Sequence, residues 1–149
     1  MIQFRGEGPA PPPFTGVCER PRVLIAEDDL GIAFALRDFL CDHGFAADCV
    51  IGVAESARML ERFSYALLVT DLHLSAHRRA EGLFILGKAR ACQPGIRSIL
   101  LTAFPTPQVE YDARRLGADD VLVKPVHLLD LLAAVCRLRE PNCPMERLE

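Results

Sequence analysis

The chain has 149 residues, 50% of them hydrophobic and 25% charged, with a formal net charge of −3. That length suits one domain with a core of its own, which needs no staples to fold. The weak negative charge gives no electrostatic footprint for nucleic acid, and no apolar run reaches the ~18 residues that span a bilayer.

Residues 1–21 carry Gly6, Gly8, Pro9, the run Pro11-Pro12-Pro13 and Pro21. This composition predicts a flexible arm, and its breaks exclude the apolar centre of a signal peptide. Residues 22–140 form the expected domain. Val23–Ala26 reads as a buried strand. Ile32, Leu36, Phe39, Leu40 and His43 share one helical face, with Asp28 or Asp29 as the cap and Gly44 as the stop. Phe45–Val50 is a second strand, and Val53–Phe63 a surface helix with Glu55, Arg58, Glu61 and Arg62 on its wet side. Tyr65–Thr70 is a third strand, apolar enough for burial on both faces. Asp71–Ala80 is a polar loop centred on His77-Arg78-Arg79. Glu81–Cys92 is a helix weakened by Gly87, and Gln93-Pro94-Gly95 a turn. Ile96–Leu101 is a fourth strand. Pro105 and Pro107 delay the next helix, which runs to about Leu116 and ends at Gly117. Asp120–Val123 is a fifth strand. Leu128, Leu131, Leu132, Val135 and Leu138 mark the apolar stripe of a last helix, stopped by Pro141 and Pro144. Residues 141–149 are a tail in which Leu148-Glu149 reads as a cloning remnant, so the natural chain is expected to continue.

Strands alternating with helices in this way imply an α/β fold, a parallel sheet covered on both faces. Six cysteines show no CxxC pairing and no neighbouring His cluster. Cys41, Cys49, Cys92 and Cys136 are expected as small core or helix residues of a reduced, cytoplasmic protein. His43 and His127 read as helix-end residues.

Ligands of an open parallel sheet bind outside the carboxyl ends of its strands. Glu27-Asp28-Asp29 follow the first strand, Asp71 the third, Thr102 the fourth and Lys124 the fifth. Brought side by side, these carboxylates and the ammonium suit a divalent metal and a phosphoryl group. Singly, each has an ordinary explanation. Acids at a helix N-terminus gain roughly 0.3–1 kcal/mol from the dipole. A strand-end Asp often makes a turn, a strand-end Thr often caps one, and a lone Lys is usually solvated.

Taken in order, Glu27-Asp28, Asp71, Thr102-Ala103 and Lys124-Pro125 resemble the motifs of the response-regulator receiver domain, over about Arg22 to Arg139. The resemblance implies a flavodoxin-like (βα)5 fold, a doubly wound five-stranded parallel sheet in three α/β/α layers. It implies phosphorylation of Asp71 by a sensor histidine kinase or phosphotransfer protein. Thr102 and Lys124 would contact the phosphoryl oxygens. Mg²⁺, with Mn²⁺ as the alternative, would be held by Asp28 and Asp71, by Glu27 through water, and by the backbone carbonyl of His73. A cis bond is implied at Lys124-Pro125. A downstream protein partner is implied, with homodimerisation left open. No helix-turn-helix or basic recognition helix is visible, so direct DNA binding and membrane association are not expected.

The chain departs from the family in places. Val121 stands where an aromatic switch residue is usual, and Ser75 where proline is common. The loop before Gly82 is longer than usual. Phe104 and His73 occupy positions that tune hydrolysis of the acyl phosphate in the family. The rival readings are a pseudo-receiver that is not phosphorylated, and a receiver belonging to a longer regulator or hybrid kinase. A flavin carrier would need a phosphate loop where Glu27-Asp28-Asp29 stand, and an aspartate phosphatase would need its nucleophile after the first strand.

Overall fold

A computed structural model describes residues 20–75 and 79–139. Most of the Pro-rich arm, His77-Arg78 of the basic loop and the tail from 140 lie outside the described residues. In chain order the elements are β1 (Arg22–Ala26), α1 (Leu30–Asp42), β2 (Ala46–Val50), α2 (Val53–Arg62), β3 (Leu67–Asp71), α3 (Glu81–Cys92), β4 (Arg97–Thr102), α4 (Pro107–Arg115), β5 (Asp120–Val123) and α5 (Leu128–Arg139). The strands form one parallel sheet in the order β2-β1-β3-β4-β5. This is the doubly wound fold expected.

The two-residue period of each strand divides the core into two halves. Val23, Ile25, Leu67, Val69, Ile99 and Leu101 face Leu36 and Leu40 of α1 and Leu131, Ala134 and Val135 of α5. Leu24, Ala26, Leu68 and Leu100 face Leu60 of α2, Ile85, Leu86 and Ala89 of α3, and Ala113 of α4. Every residue of β3 is buried, as its central place requires.

Three local expectations need correcting. In α1 the buried face is Ala33, Leu36 and Leu40, while Ile32 is 38% exposed and His43 lies at the exposed C-cap. A small residue there lets the helix lie close to β2, where the Cys49 thiol donates to the Ala33 carbonyl at 3.4 Å. Tyr65 is buried but stands outside β3. Its N–H is drawn to Gln93 Oε1 at 2.8 Å and its hydroxyl donates to Asp48 Oδ2 at 2.7 Å, an oxygen that Arg22 also binds. In α5, Leu128 is 36% exposed and Ala134 takes a buried place. Cys41, Cys49, Cys92 and Cys136 are free thiols, with Cys136 exposed on α5. Among the described residues, no helix is long and apolar enough to cross a membrane.

Candidate functional site

The carboxyl ends of β1, β3, β4 and β5 meet at one end of the sheet, because all four strands run the same way. Glu27 continues β1 by donating its N–H to the Val50 carbonyl at 3.0 Å. Its side chain turns under the edge and is only 1% exposed. Asp29 caps α1, accepting from the Ile32 N–H at 3.1 Å, and its own N–H donates to Glu27 Oε2 at 3.1 Å. The capping role therefore falls to Asp29, and Asp28 between them is left exposed at the mouth. Asp71 is the last residue of β3, opposite Leu101 in register. Thr102, one position further along β4, pairs with Val123 of β5. Lys124 follows directly, its N–H donating to the Thr102 carbonyl at 2.8 Å, and the Lys124-Pro125 bond is cis, as expected.

The side chains converge. Lys124 Nζ lies 3.1 Å from Asp71 Oδ2 and 3.2 Å from Glu27 Oε1. One carboxylate oxygen from each of Glu27, Asp28 and Asp71 falls within 4.8 Å of the others. Burial pushes the Glu27 carboxyl above its ordinary range, and the nearby Asp71 charge adds to this; the Asp29 N–H and the Lys124 ammonium oppose it. Burial pulls the Lys124 ammonium down, but hydrogen bonding to Asp71 and the charges of Asp71 and Glu27 outweigh it, so its pKa stands above 10.5. Glu27 and Asp71 face the ammonium at close range, and the Asp28 carboxylate lies beside them. Such an all-oxygen, charge-excess cluster is the donor set that a hard divalent cation prefers.

Thr102 is buried, and its Oγ accepts from the Phe104 N–H at 3.2 Å. A hydroxyl that accepts one bond still has its own proton to donate. Phe104 is 69% exposed beyond the end of β4. Val121 is half-buried against the α2–α4 half of the core and carries no group that could follow Thr102.

Sequence reasoning missed what supports Asp71 from behind. Gly82 opens α3 directly against the end of β3: a Cβ there would sit 2.2 Å from the Asp71 carbonyl oxygen and 2.9 Å from Leu72 Cα. Its N–H donates to the Leu72 carbonyl at 2.8 Å. Glu81, beside it, accepts from the Leu74 N–H at 3.0 Å and from the Ser75 hydroxyl. Burial works to raise the Glu81 carboxyl, but these bonds prevail and hold it down at about 2. The Ser75 hydroxyl thus fixes the loop at the position where proline is common in the family. His73 Nδ1 accepts from the N–H of Ala80, which adopts a left-handed conformation at φ 57°. A glycine after a polar loop could have signalled the close approach at Gly82; nothing in the sequence distinguishes Glu81 from an ordinary helix-opening acid.

Known proteins resemble this chain in sequence and fold. The family model of the response regulator receiver domain matches residues 23–136. The chain is 33% identical over 110 residues to the transcriptional regulatory protein TctD of Salmonella typhimurium, covering 74% of this chain and 48% of TctD. It is 32% identical over 115 residues to the response regulator protein FleR of Pseudomonas aeruginosa, covering 75% of this chain and 24% of FleR. The chain therefore spans half or less of the length of these relatives. Among solved structures, a CheY-like receiver domain protein from Methanospirillum hungatei superposes with a TM-score of 0.76 at 25% identity, covering 82% of this chain and 95% of that one. A two-component response regulator from Clostridium difficile gives 0.76 at 25% identity over 83% of this chain and 100% of its own. Acids, threonine and lysine gathered at the strand ends of this fold, and a family match running from β1 into α5, place the chain in the response-regulator receiver domain family of two-component signalling.

Proposed function

We propose that Asp71 is the phosphoacceptor, taking a phosphoryl group from the phosphohistidine of a sensor kinase or phosphotransfer protein. The observation that carries this is the Asp71 carboxylate at the end of the central strand, held at 3.1 Å by Lys124 beside two further acids. A carboxylate oxygen forms the new P–O bond as the P–N bond breaks, and the departing imidazole takes a proton from solvent. Transfer of this kind is carried mostly by position and charge. Lys124 holds the carboxylate and would pair with a phosphoryl oxygen; Thr102, one register step away, would donate its hydroxyl to another. Glu27, Asp28, Asp71 and the His73 carbonyl would hold Mg²⁺, which supplies charge neutralisation at the phosphoryl oxygens. A small phosphodonor with Mg²⁺ should add one acid-stable, base-labile phosphoryl group, and Asp71→Asn should add none. Labelling that persists in Asp71→Asn would overturn the assignment, and an unlabelled wild type would make the domain a pseudo-receiver.

The metal reading has its own test. Asp28 is exposed and leaves the core untouched when changed. Binding to the folded state stabilises it by linkage, about 1.4 kcal/mol at ten times the dissociation constant. Millimolar Mg²⁺ should therefore raise the melting temperature of the wild type by about 3–6 °C, and Asp28→Ala should lose most of that rise. An undiminished rise in Asp28→Ala would place the cation elsewhere.

A further inference from the structure

The Glu81 clasp described above has a consequence for the chemistry of its neighbour, because the Leu74 N–H and the His73 carbonyl belong to one peptide unit. That unit is planar and trans: among the described residues the cis bond is at Lys124-Pro125. In a trans unit the N–H and C=O point in opposite directions. Fixing the N–H on Glu81 Oε1 at 3.0 Å therefore fixes the carbonyl oxygen on the opposite side, away from α3. A carboxylate acceptor also polarises the unit it binds, drawing positive charge to the N–H and leaving more negative charge on the oxygen. The segment has further anchors. Glu81 Oε2 receives the Ser75 hydroxyl, His73 Nδ1 receives the Ala80 N–H at 3.2 Å, and the Leu72 carbonyl receives the Gly82 N–H at 2.8 Å.

We propose that Glu81 is a positioning residue that aims and polarises the His73 carbonyl for the cation, acting through the shared peptide unit without touching the metal. The proposal rests on the metal reading of the preceding section. The ordinary alternative is that Glu81 merely ties the loop to the first turn of α3. That alternative predicts lost stability and an unchanged affinity for the cation.

The full chain is used throughout, with Mg²⁺ as the probe. In the metal-free protein the Leu74 amide proton should resonate downfield, and Glu81→Gln should move it upfield. Titration calorimetry should then show Mg²⁺ binding weakened about tenfold in Glu81→Gln, at the low end of the range for groups that orient a metal ligand. Glu81→Asp, which keeps the charge on a shorter arm, should recover part of the loss. A Leu74 amide that does not move, or an Mg²⁺ constant within about twofold of wild type once it has moved, would overturn the proposal. If Glu81→Gln fails to fold, Ser75→Ala removes one anchor of the clasp and reads the same constant; no weakening there also overturns it. Failure of the metal reading itself is distinguishable, since the wild type would then bind no Mg²⁺.

Discussion

Gly82→Ala should destabilise the domain by about 3 kcal/mol, the upper part of the range for overpacking a tight contact. The reason is backbone against backbone. The added methyl would meet the Asp71 carbonyl oxygen at 2.2 Å, and neither that oxygen nor Leu72 Cα can swing away like a flexible side chain. Relief requires α3 to retreat from the end of β3, and Asp71 is the residue displaced. Labelling by a small phosphodonor should therefore slow even under conditions where the variant remains folded. Gly87 supplies the contrast within the same helix. Its nearest outside atom would be Leu116 Cδ2 at 3.7 Å, an ordinary contact. Gly87→Ala should stabilise by up to about 1 kcal/mol through helix propensity. Urea midpoints of the two variants should move in opposite directions; a Gly82→Ala midpoint equal to wild type would mean that the helix seats less tightly than described.

Lys124→Met should be the other large loss, about 2–4 kcal/mol without divalent cation. Removing one partner of a buried pair typically costs roughly 3–5 kcal/mol, and solvent moderates it here because the lysine side chain is 21% exposed. The Glu27 carboxyl, 1% exposed, would lose its counter-ion and would have to carry its charge unpaired or take up a proton, and either costs stability. The pH dependence identifies the cause. Glu27 already has a folded pKa above its ordinary 4.5. The folded state thus holds that proton more tightly than the unfolded chain, and Glu27's contribution falls as pH rises through the folded value. Without Lys124 that value moves further up. The deficit of Lys124→Met against wild type should be large near neutrality and shrink as pH falls toward 4.5. Lys124 itself titrates above 10.5 in the fold, so its stabilisation persists below that pH and drains only in stronger alkali. A deficit independent of pH would point to lost packing instead of a stranded carboxylate.

The strand-helix alternation was readable because buried parallel strands are short unbroken apolar runs, and turn residues separate them from the helices. The bounds of α3 and β5 were read as they stand. The gathering of Glu27, Asp28, Asp71 and Lys124 was readable too, since a charge directly after an apolar run lies at a strand end and parallel strands put those ends together. The phase of α1 was not readable. Ile32 and Ala33 are both apolar neighbours, and only packing against β2 selects the smaller. Tyr65 fits the composition of a strand, yet Gln93 and Asp48, both distant in sequence, claim its polar groups. The grip of Glu81 on the loop was hidden for a deeper reason: one of its partners is a main-chain N–H, which every residue but proline possesses.

The bond between Lys124 and Glu27 joins residues 97 apart in sequence. All three acids are made well before the lysine that offsets them. A chain broken off or still being synthesised short of Lys124 would carry these neighbouring carboxylates without the ammonium that bridges Glu27 and Asp71. The counter-charge of the cluster thus arrives only with the residue that follows the last strand.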